Sequence, residues 1–189
     1  VLHTNLGRAP LSHDALINVQ EASKSYSELE LNIRTGIRGS RNGYVGRLLC
    51  QLTGAEAAIV VNNNGSAGLL GLASLARGKE VIVSRGEAIE IGGGFRIPEV
   101  LGESGAILVD VGTTNRTYVD DYEAAISDNT GAILSIHKSN FDLTGFTHSP
   151  NISELVALGR KYKKPVLHDL GSGCLLDTSQ FDMKHVPMP

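Results

Sequence analysis

Three short polar segments that follow apolar runs contain the residue types needed to bind a small anionic ligand. The first is Asn64, Gly65 and Ser66, which come after the apolar residues 59–61 and before a run with helical spacing. A helix that begins there would offer free N–H groups and the positive end of its dipole to a phosphate. The same residues could also form a plain capped turn, since they match neither the P-loop nor the dinucleotide-binding pattern.

The other two segments carry an acid and an amide. Asp169 ends an apolar run and precedes a Gly-Ser-Gly turn that contains Ser172, while Asn140 closes the sequence SIHKSN after another apolar run. An aspartate in this position could cap a helix, bind a metal ion or pair with a protonated ring nitrogen. A phosphate site beside such an acid is what pyridoxal phosphate requires, because its phosphate anchors it and its ring accepts electrons. We therefore predict one pocket for this cofactor where the three turns meet, and no metal site.

A cluster of arginines lies upstream of these turns. Arg34, Arg38, Arg41 and Arg47 are spread through RTGIRGSRNGYVGR, with glycines between them. Such a cluster could be a solvated loop. It could also bind an anion, because glycines allow close approach of the backbone and guanidinium groups bind phosphate through two parallel hydrogen bonds.

The order of the elements around the three turns predicts an α/β fold. Apolar residues make up 41% and charged residues 20% of the 189 residues, which is typical of a globular domain with its own core. Short apolar runs predict strands, and runs with a period near 3.6 predict helices. We expect strands at 57–61, 80–83, 107–111, 132–136 and 165–168, and helices at 66–76, 95–103, 119–126 and 152–162. Strands that are apolar throughout and alternate with helices favour a mainly parallel sheet with helices on both faces.

The segment before this alternation is predicted to be separate. Residues 1–10 have no helical period and are expected to form an extended arm, whereas residues 12–26 predict a helix. After the Gly/Arg loop a second helix should end at Gly54. We divide the chain into an N-terminal part, 1–56, with the arm, the helix and the Gly/Arg loop, and an α/β cofactor-binding part, 57–189.

Composition restricts the class of protein. The net charge of −3 argues against a free-standing nucleic-acid binder, which would normally be basic. No apolar run is long enough to cross a bilayer. Cys50 and Cys174 lack metal-ligand spacing and are expected to be reduced thiols, so a cytoplasmic location is the default expectation.

Several strings in the chain resemble one family over essentially all 189 residues: VLHTNLGRAPLS, GIRGSR, LTGAEAAIVVNNN, GKEVIVSRGE, IGGGFRIPEV, VGTTNRT, DYEAAI, GFT and HDLGSG. They resemble the bacterial selenocysteine synthases, the L-seryl-tRNA(Sec) selenium transferases. The resemblance implies an incomplete large domain of the aspartate-aminotransferase-like fold, fold type I of the pyridoxal phosphate enzymes. It also implies conversion of L-seryl-tRNA(Sec) to L-selenocysteyl-tRNA(Sec) with selenophosphate, in a homodecameric ring built from dimers.

The resemblance assigns cofactor roles to particular residues. Asn64, Gly65 and Ser66 correspond to the turn that binds the cofactor phosphate. Asp169 corresponds to the acid that keeps the pyridine nitrogen protonated. The remaining candidates, for the ring hydroxyl, are Asn140 and Ser172.

Other residues are implied to contact the substrate anion or a second dimer. Arg8 resembles the arginine that helps to hold the anionic phosphate or the selenium donor. Arg38 and Arg41 are further candidates for that anion or for the tRNA terminus. Thr113 and Thr114 resemble contact positions between the dimers of the ring.

One element of the family pattern is absent from this chain. The string that carries the Schiff-base lysine of the family follows the Asp-Leu-Gly-Ser-Gly turn, and no lysine here has that context. We therefore expect the chain alone to be catalytically incomplete. Two alternatives stay open: a related β-eliminating enzyme that acts on a free amino acid or amino sugar, and a truncated, non-catalytic assembly paralogue.

Overall fold

The computed structural model describes residues 10–91, 94–183 and 186–189. They fall into two compact units, one that extends up to Val61 and includes Pro189, and one that spans Asn62–Met188. Within the described part of the chain, no helix has the length and apolar character that a bilayer span requires.

The first unit contains two helices and a short hairpin. Its elements are α1 (His13–Ser23), β1 (Leu31–Asn32), β2 (Ile37–Arg38) and α2 (Gly43–Thr53), with β1 and β2 antiparallel. The side chain of Ser12 caps α1 by accepting a hydrogen bond from the Ala15 amide, as its position at the start of the helical pattern predicts. Helix α2 ends at Gly54, whose φ of 75° lies in the left-handed region that favours glycine. Helix α1 ends three residues before the expected boundary at Tyr26.

The strand expected at 57–61 is absent, so this prediction was wrong. These residues form no ladder with any strand of the described chain, and Ile59 and Val60 are exposed. The carbonyl of Ala58 lies instead against α2, where a Cβ added to Gly46 would approach it to 2.8 Å. An apolar run indicates a strand only where a neighbouring backbone can satisfy its N–H and C=O groups.

The second unit alternates helices and strands. Its helices are α3 (Asn64–Ala76), α4 (Ile97–Glu103), α5 (Val119–Ala125) and α6 (Ile152–Tyr162), and its strands are β3 (Glu80–Ser84), β4 (Glu90–Ile91), β5 (Phe95–Arg96), β6 (Ile107–Val111), β7 (Thr130–Ile136) and β8 (Val166–Asp169). These confirm the other four expected strands and all four helices, with small shifts in their bounds. Helices α3 and α4 each shift by two residues at their start, and α4 begins at Ile97 because the two preceding residues pair with β4 as β5.

Strands β6, β3, β7 and β8 form a four-stranded sheet in that order, and every neighbouring pair is parallel. Because the strands are parallel, their carboxyl ends all lie at one edge of the sheet. The turns that follow β7 and β8 therefore leave the sheet at the same edge, which is where ligands bind in α/β folds.

Helices cover both faces of this sheet. On one face α3 and α4 pack against alternate strand residues such as Val81, Val83 and Leu134. On the other face α5 and α6 pack against Ile82 and Ile133, which point the opposite way along the same strands. This two-sided burial explains why the strands are apolar throughout.

Two helical glycines offer a matched test of the packing of this unit. A Cβ at Gly159 in α6 would lie 2.5 Å from Val166 Cγ2 and 2.7 Å from the Lys164 carbonyl oxygen, whereas a Cβ at Gly102 in α4 meets no atom within 4 Å. We expect Gly159→Ala to lower the free energy of unfolding by about 1–3 kcal/mol through overpacking. Gly102→Ala should raise it by up to about 1 kcal/mol, because alanine favours the helix. Urea denaturation followed by circular dichroism measures both, and equal effects would contradict this packing.

Candidate active site

Helix α3 begins directly at the first polar turn. The side chain of Asn63 accepts a hydrogen bond from the Ser66 amide at 2.8 Å and so caps the helix. This cap engages the amide of Ser66, and the first-turn amides of Asn64 and Gly65 have no acceptor within the helix itself. Gly65 and Ser66 are half-buried in this turn. The end of α3 therefore has the polarity and the donors that suit an anion.

The first and second polar turns are in direct contact. The side-chain amide of Asn64 donates to Asp169 Oδ1 at 2.8 Å and lies 3.4 Å from the carbonyl oxygen of Gly171. The amide of Gly171 donates to the same carboxylate oxygen at 2.8 Å. Asp169 is the last residue of β8, so the structure places the candidate acid beside the N-terminus of α3.

The turn after β7 lies against the same place. The amide of His137 donates to the carbonyl oxygen of Asp169 at 2.9 Å. Gly171 has a φ of 66°, and a Cβ added there would come within 3.4 Å of the Ser139 side chain. The three polar turns thus meet at one corner of the sheet edge, although the roles of their residues remain predictions.

Asn140 is held in the third turn by one of its two polar atoms. Its side-chain amide nitrogen donates to the carbonyl oxygen of Glu90 at 3.1 Å. Its Oδ1 is buried and has no hydrogen-bond partner among the described residues. A buried acceptor without a partner is rare in proteins, and it suits a ligand that donates a hydrogen bond.

The remaining cofactor and anion candidates differ in their settings. Ser172 is exposed in the turn after β8. Arg8 lies outside the described residues. Arg38 and Arg41 belong to the other compact unit, where both pair with Glu30: Arg38 Nη2 lies 3.1 Å from Glu30 Oε2, and Arg41 donates to Glu30 Oε1.

Because of these ion pairs, Arg38 and Arg41 are not two independent cations, since both bind the same carboxylate. The hydrogen bond from Arg41 lowers the pKa of Glu30 and raises the pKa of Arg41 itself. Two guanidinium groups therefore share one carboxylate and keep a net positive charge. The sequence did not single out Glu30, although it stands eight residues before Arg38.

Thr113 and Thr114 lie on the surface, in the loop after β6. The hydroxyl and the amide of Thr113 both donate to the carbonyl oxygen of Arg116, at 2.9 and 2.8 Å. Both threonines are exposed, so a second protein could reach them.

The donor set at the corner fits pyridoxal phosphate. A helix N-terminus suits its phosphate, and no described residue donates to Asp169 Oδ2, which leaves that oxygen for a ring N–H. Within the described part of the chain, no three His, Cys, Asp or Glu side chains cluster as a metal site would require.

Comparison with known proteins identifies the family. A family model described as "SelA: L-seryl-tRNA selenium transferase" matches residues 1–189. The chain belongs to this family. Two relatives named L-seryl-tRNA(Sec) selenium transferase, from Geobacter metallireducens and Carboxydothermus hydrogenoformans, are each 56% identical to it over 187 residues. These matches cover 99% of the chain and 40% of each relative, so the chain spans about two fifths of their length.

Solved structures confirm the fold of this selenium transferase family member. D-glucosaminate-6-phosphate ammonia-lyase aligns with a TM-score of 0.70 at 18% identity, over 88% of this chain and 46% of that chain. Helicobacter pylori PseC, an aminotransferase, aligns with a TM-score of 0.57 at 23% identity, over 86% of this chain and 41% of that chain. The fold is therefore the aspartate-aminotransferase-like α/β fold, fold type I, as expected.

One buried carboxyl group at this edge of the sheet is not among the residues predicted from the sequence. Glu87 follows β3, is 6% exposed, and its Oε2 accepts a hydrogen bond from the Ile136 amide at 2.9 Å. It lines an open cavity of about 570 Å³ together with Lys138 and His168. Burial raises the pKa of Glu87 to about 7, while the hydrogen bond and the charge of Lys138 act in the opposite direction. Its position three residues after the end of an apolar strand was the available signal.

Glu87 should make stability depend on pH. Its pKa rises from 4.5 to about 7 on folding, so the folded state holds this proton more tightly, and stability is lost as the pH rises through that interval. We expect the free energy of unfolding to fall by about 3 kcal/mol less in Glu87→Gln than in the wild type as the pH rises. The reason is that glutamine can still accept the hydrogen bond from Ile136 and carries no charge. Urea denaturation at pH 5 and at pH 8, values that enclose most of the interval, measures the change in the free energy of unfolding. The exposed Glu103→Gln serves as the control, and a pH slope that is the same in Glu87→Gln and the wild type would contradict the assignment.

Proposed function

We propose that the full natural chain containing these residues is a pyridoxal phosphate-dependent selenium transferase of selenocysteine biosynthesis. It converts L-seryl-tRNA(Sec) to L-selenocysteyl-tRNA(Sec) with selenophosphate. Support comes from the family match along the whole chain and from relatives of that name. The observation that carries the proposal is the contact between Asn64 and Asp169, which joins an anion-binding helix end to an acid.

Different residues at the corner would bind different parts of the cofactor. The phosphate would be held by the backbone amides of Asn64 and Gly65 and by the hydroxyl of Ser66. Oδ2 of Asp169 would accept a hydrogen bond from the ring nitrogen. Asn140 and Ser172 are the candidates for its ring hydroxyl, and the free Oδ1 of Asn140 suits that hydroxyl in its protonated form.

The chemistry requires an electron sink beside the seryl group. When bound, pyridoxal phosphate supplies that sink, because its protonated ring accepts the electron pair left by a departing proton. The carboxylate of Asp169 would keep the proton on the ring nitrogen. In the overall conversion the seryl hydroxyl leaves its β-carbon as water, selenium from selenophosphate bonds to that carbon, and a water molecule cleaves the Se–P bond so that phosphate is released.

In this proposal the arginines bind the anionic substrate by charge. Arg8 anchors the selenium donor by charge, an interaction that strengthens where water is excluded. Arg38 and Arg41 act on the same anion or on the tRNA terminus, with Glu30 holding their guanidinium groups in place.

The proposal extends to assembly and location. The protein forms a homodecameric ring of dimers in the cytoplasm, with the exposed Thr113 and Thr114 near the contact between dimers. This part depends on the family resemblance.

We expect Asp169→Asn to lower the rate of selenocysteyl-tRNA formation by roughly a hundredfold or more, because it removes the charge that stabilises the ring proton. Single-turnover assays on the full natural chain, with cofactor and selenophosphate at saturation, measure this rate. Asp128→Asn, which changes an exposed carboxylate in the turn before β7, should leave it unchanged. Equal rates for wild type and Asp169→Asn would overturn the role of Asp169.

The substrate itself needs a separate test. The full natural chain should turn over serylated tRNA(Sec) and leave free serine and amino sugars unreacted. Release of ammonia from a free amino acid or amino sugar without tRNA would favour the β-eliminating alternative. The absence of any turnover with bound cofactor would favour the assembly paralogue.

A further inference from the structure

The side-chain amide of Asn64 is directed at Asp169. Its nitrogen lies 2.8 Å from Asp169 Oδ1 and 3.4 Å from the Gly171 carbonyl oxygen. A primary amide has two N–H donors, and these two acceptors account for both. Asn64 therefore contributes its backbone amide to the helix end, while its side chain serves the neighbouring turn.

Asp169 Oδ1 receives two hydrogen bonds of equal length. One comes from Asn64 Nδ2 and the other from the backbone amide of Gly171, both at 2.8 Å. The Gly171 bond alone leaves the carboxylate able to rotate about its Cβ–Cγ bond. A second donor from another element fixes that rotation and so decides where Oδ2 points.

We propose that Asn64 is a positioning residue, which orients the Asp169 carboxylate toward the cofactor ring nitrogen, and that its side chain does not bind the phosphate. This inference depends on the proposed function, since it presumes a ring nitrogen at Oδ2. It differs from the role that family resemblance implies for Asn64, and it leaves the phosphate to the helix amides and Ser66.

The exposure of Asn64 allows a positioning role to be distinguished from a purely structural one. Asn64 is exposed, and the loss of one exposed hydrogen bond changes folding stability little. A carboxylate hydrogen bond is stronger than a neutral one, so its loss should be visible in the binding of a ligand to that carboxylate.

A double-mutant cycle on the full natural chain tests the inference. The measured quantity is the dissociation constant of pyridoxal phosphate, followed by absorbance, for wild type, Asn64→Ala, Asp169→Ala and the double variant. We expect Asn64→Ala to weaken binding about tenfold in the wild-type background and not at all in the Asp169→Ala background. The same tenfold loss should appear with pyridoxal, which lacks the phosphate.

Three further variants calibrate the cycle. Asn62→Ala removes an exposed amide two residues earlier and should leave binding unchanged. Ser66→Ala should weaken binding of pyridoxal phosphate in both backgrounds and leave binding of pyridoxal unchanged. Asn64→Leu, which keeps the side-chain volume without the donors, should reproduce Asn64→Ala, and thermal unfolding should show that each variant is folded.

Each failure has its own signature. If Asn64→Ala weakens binding equally in the Asp169→Ala background and has no effect on pyridoxal, Asn64 binds the phosphate and the inference is wrong. If Asn64→Ala changes nothing in a protein that binds the cofactor, the inference also fails while the proposed function stands. If the wild-type protein binds no pyridoxal phosphate, the proposed function fails and the inference with it.

Discussion

Parallel pairing of β6, β3, β7 and β8 is the constraint from which the site follows. Parallel strands in one sheet must each return through a crossover, here a helix, and all their carboxyl ends lie at one edge. The segments that leave this edge are therefore neighbours in space. Asn64, the first residue of α3, lies beside Asp169 at the same edge, although more than 100 residues separate the two in sequence. One side-chain hydrogen bond then joins the N-terminus of α3 to the end of β8.

The sheet also explains why the two carboxyl groups at this edge, those of Asp169 and Glu87, have different surroundings. Side chains alternate along a strand, so Leu167 faces α3 and α4 while Val166 faces α5 and α6. Asp169 shares the side of Leu167 and meets Asn64, whereas Glu87 opens into a cavity lined by His168. The same sheet edge therefore carries polar groups on both sides, with Asp169 beside the N-terminus of α3 and Glu87 in a cavity that Ile152, the first residue of α6, also lines.

The sequence predicted the repeated elements of the fold well, because their signals are local. Helix α6 has its expected bounds, Ile152–Tyr162, since Asn151 caps it with Glu154 completing a capping box. The expected strand at 57–61 failed because a strand depends on a partner that no local pattern reveals. The candidate site divides in the same way: polar residue types after apolar runs indicated Asn64 and Asp169, but not the hydrogen bond between them. Pairing of Arg38 and Arg41 with Glu30 depends on how the β1–β2 hairpin turns, and burial of Glu87 depends on how distant segments pack. Residue types alone therefore predicted neither.

Fold and chemistry are established by different observations in this protein. The ammonia-lyase with a TM-score of 0.70 shares only 18% of its residues with the chain, so the sheet edge is common to proteins with different sequences. A shared fold places a site without deciding what it does. Relatives at 56% identity show the family, and the proposed activity depends on that membership more than on the shared fold. The functional proposal therefore depends on two observations together: the fold brings the three turns to one corner, and the family match supports the activity that we propose for that corner.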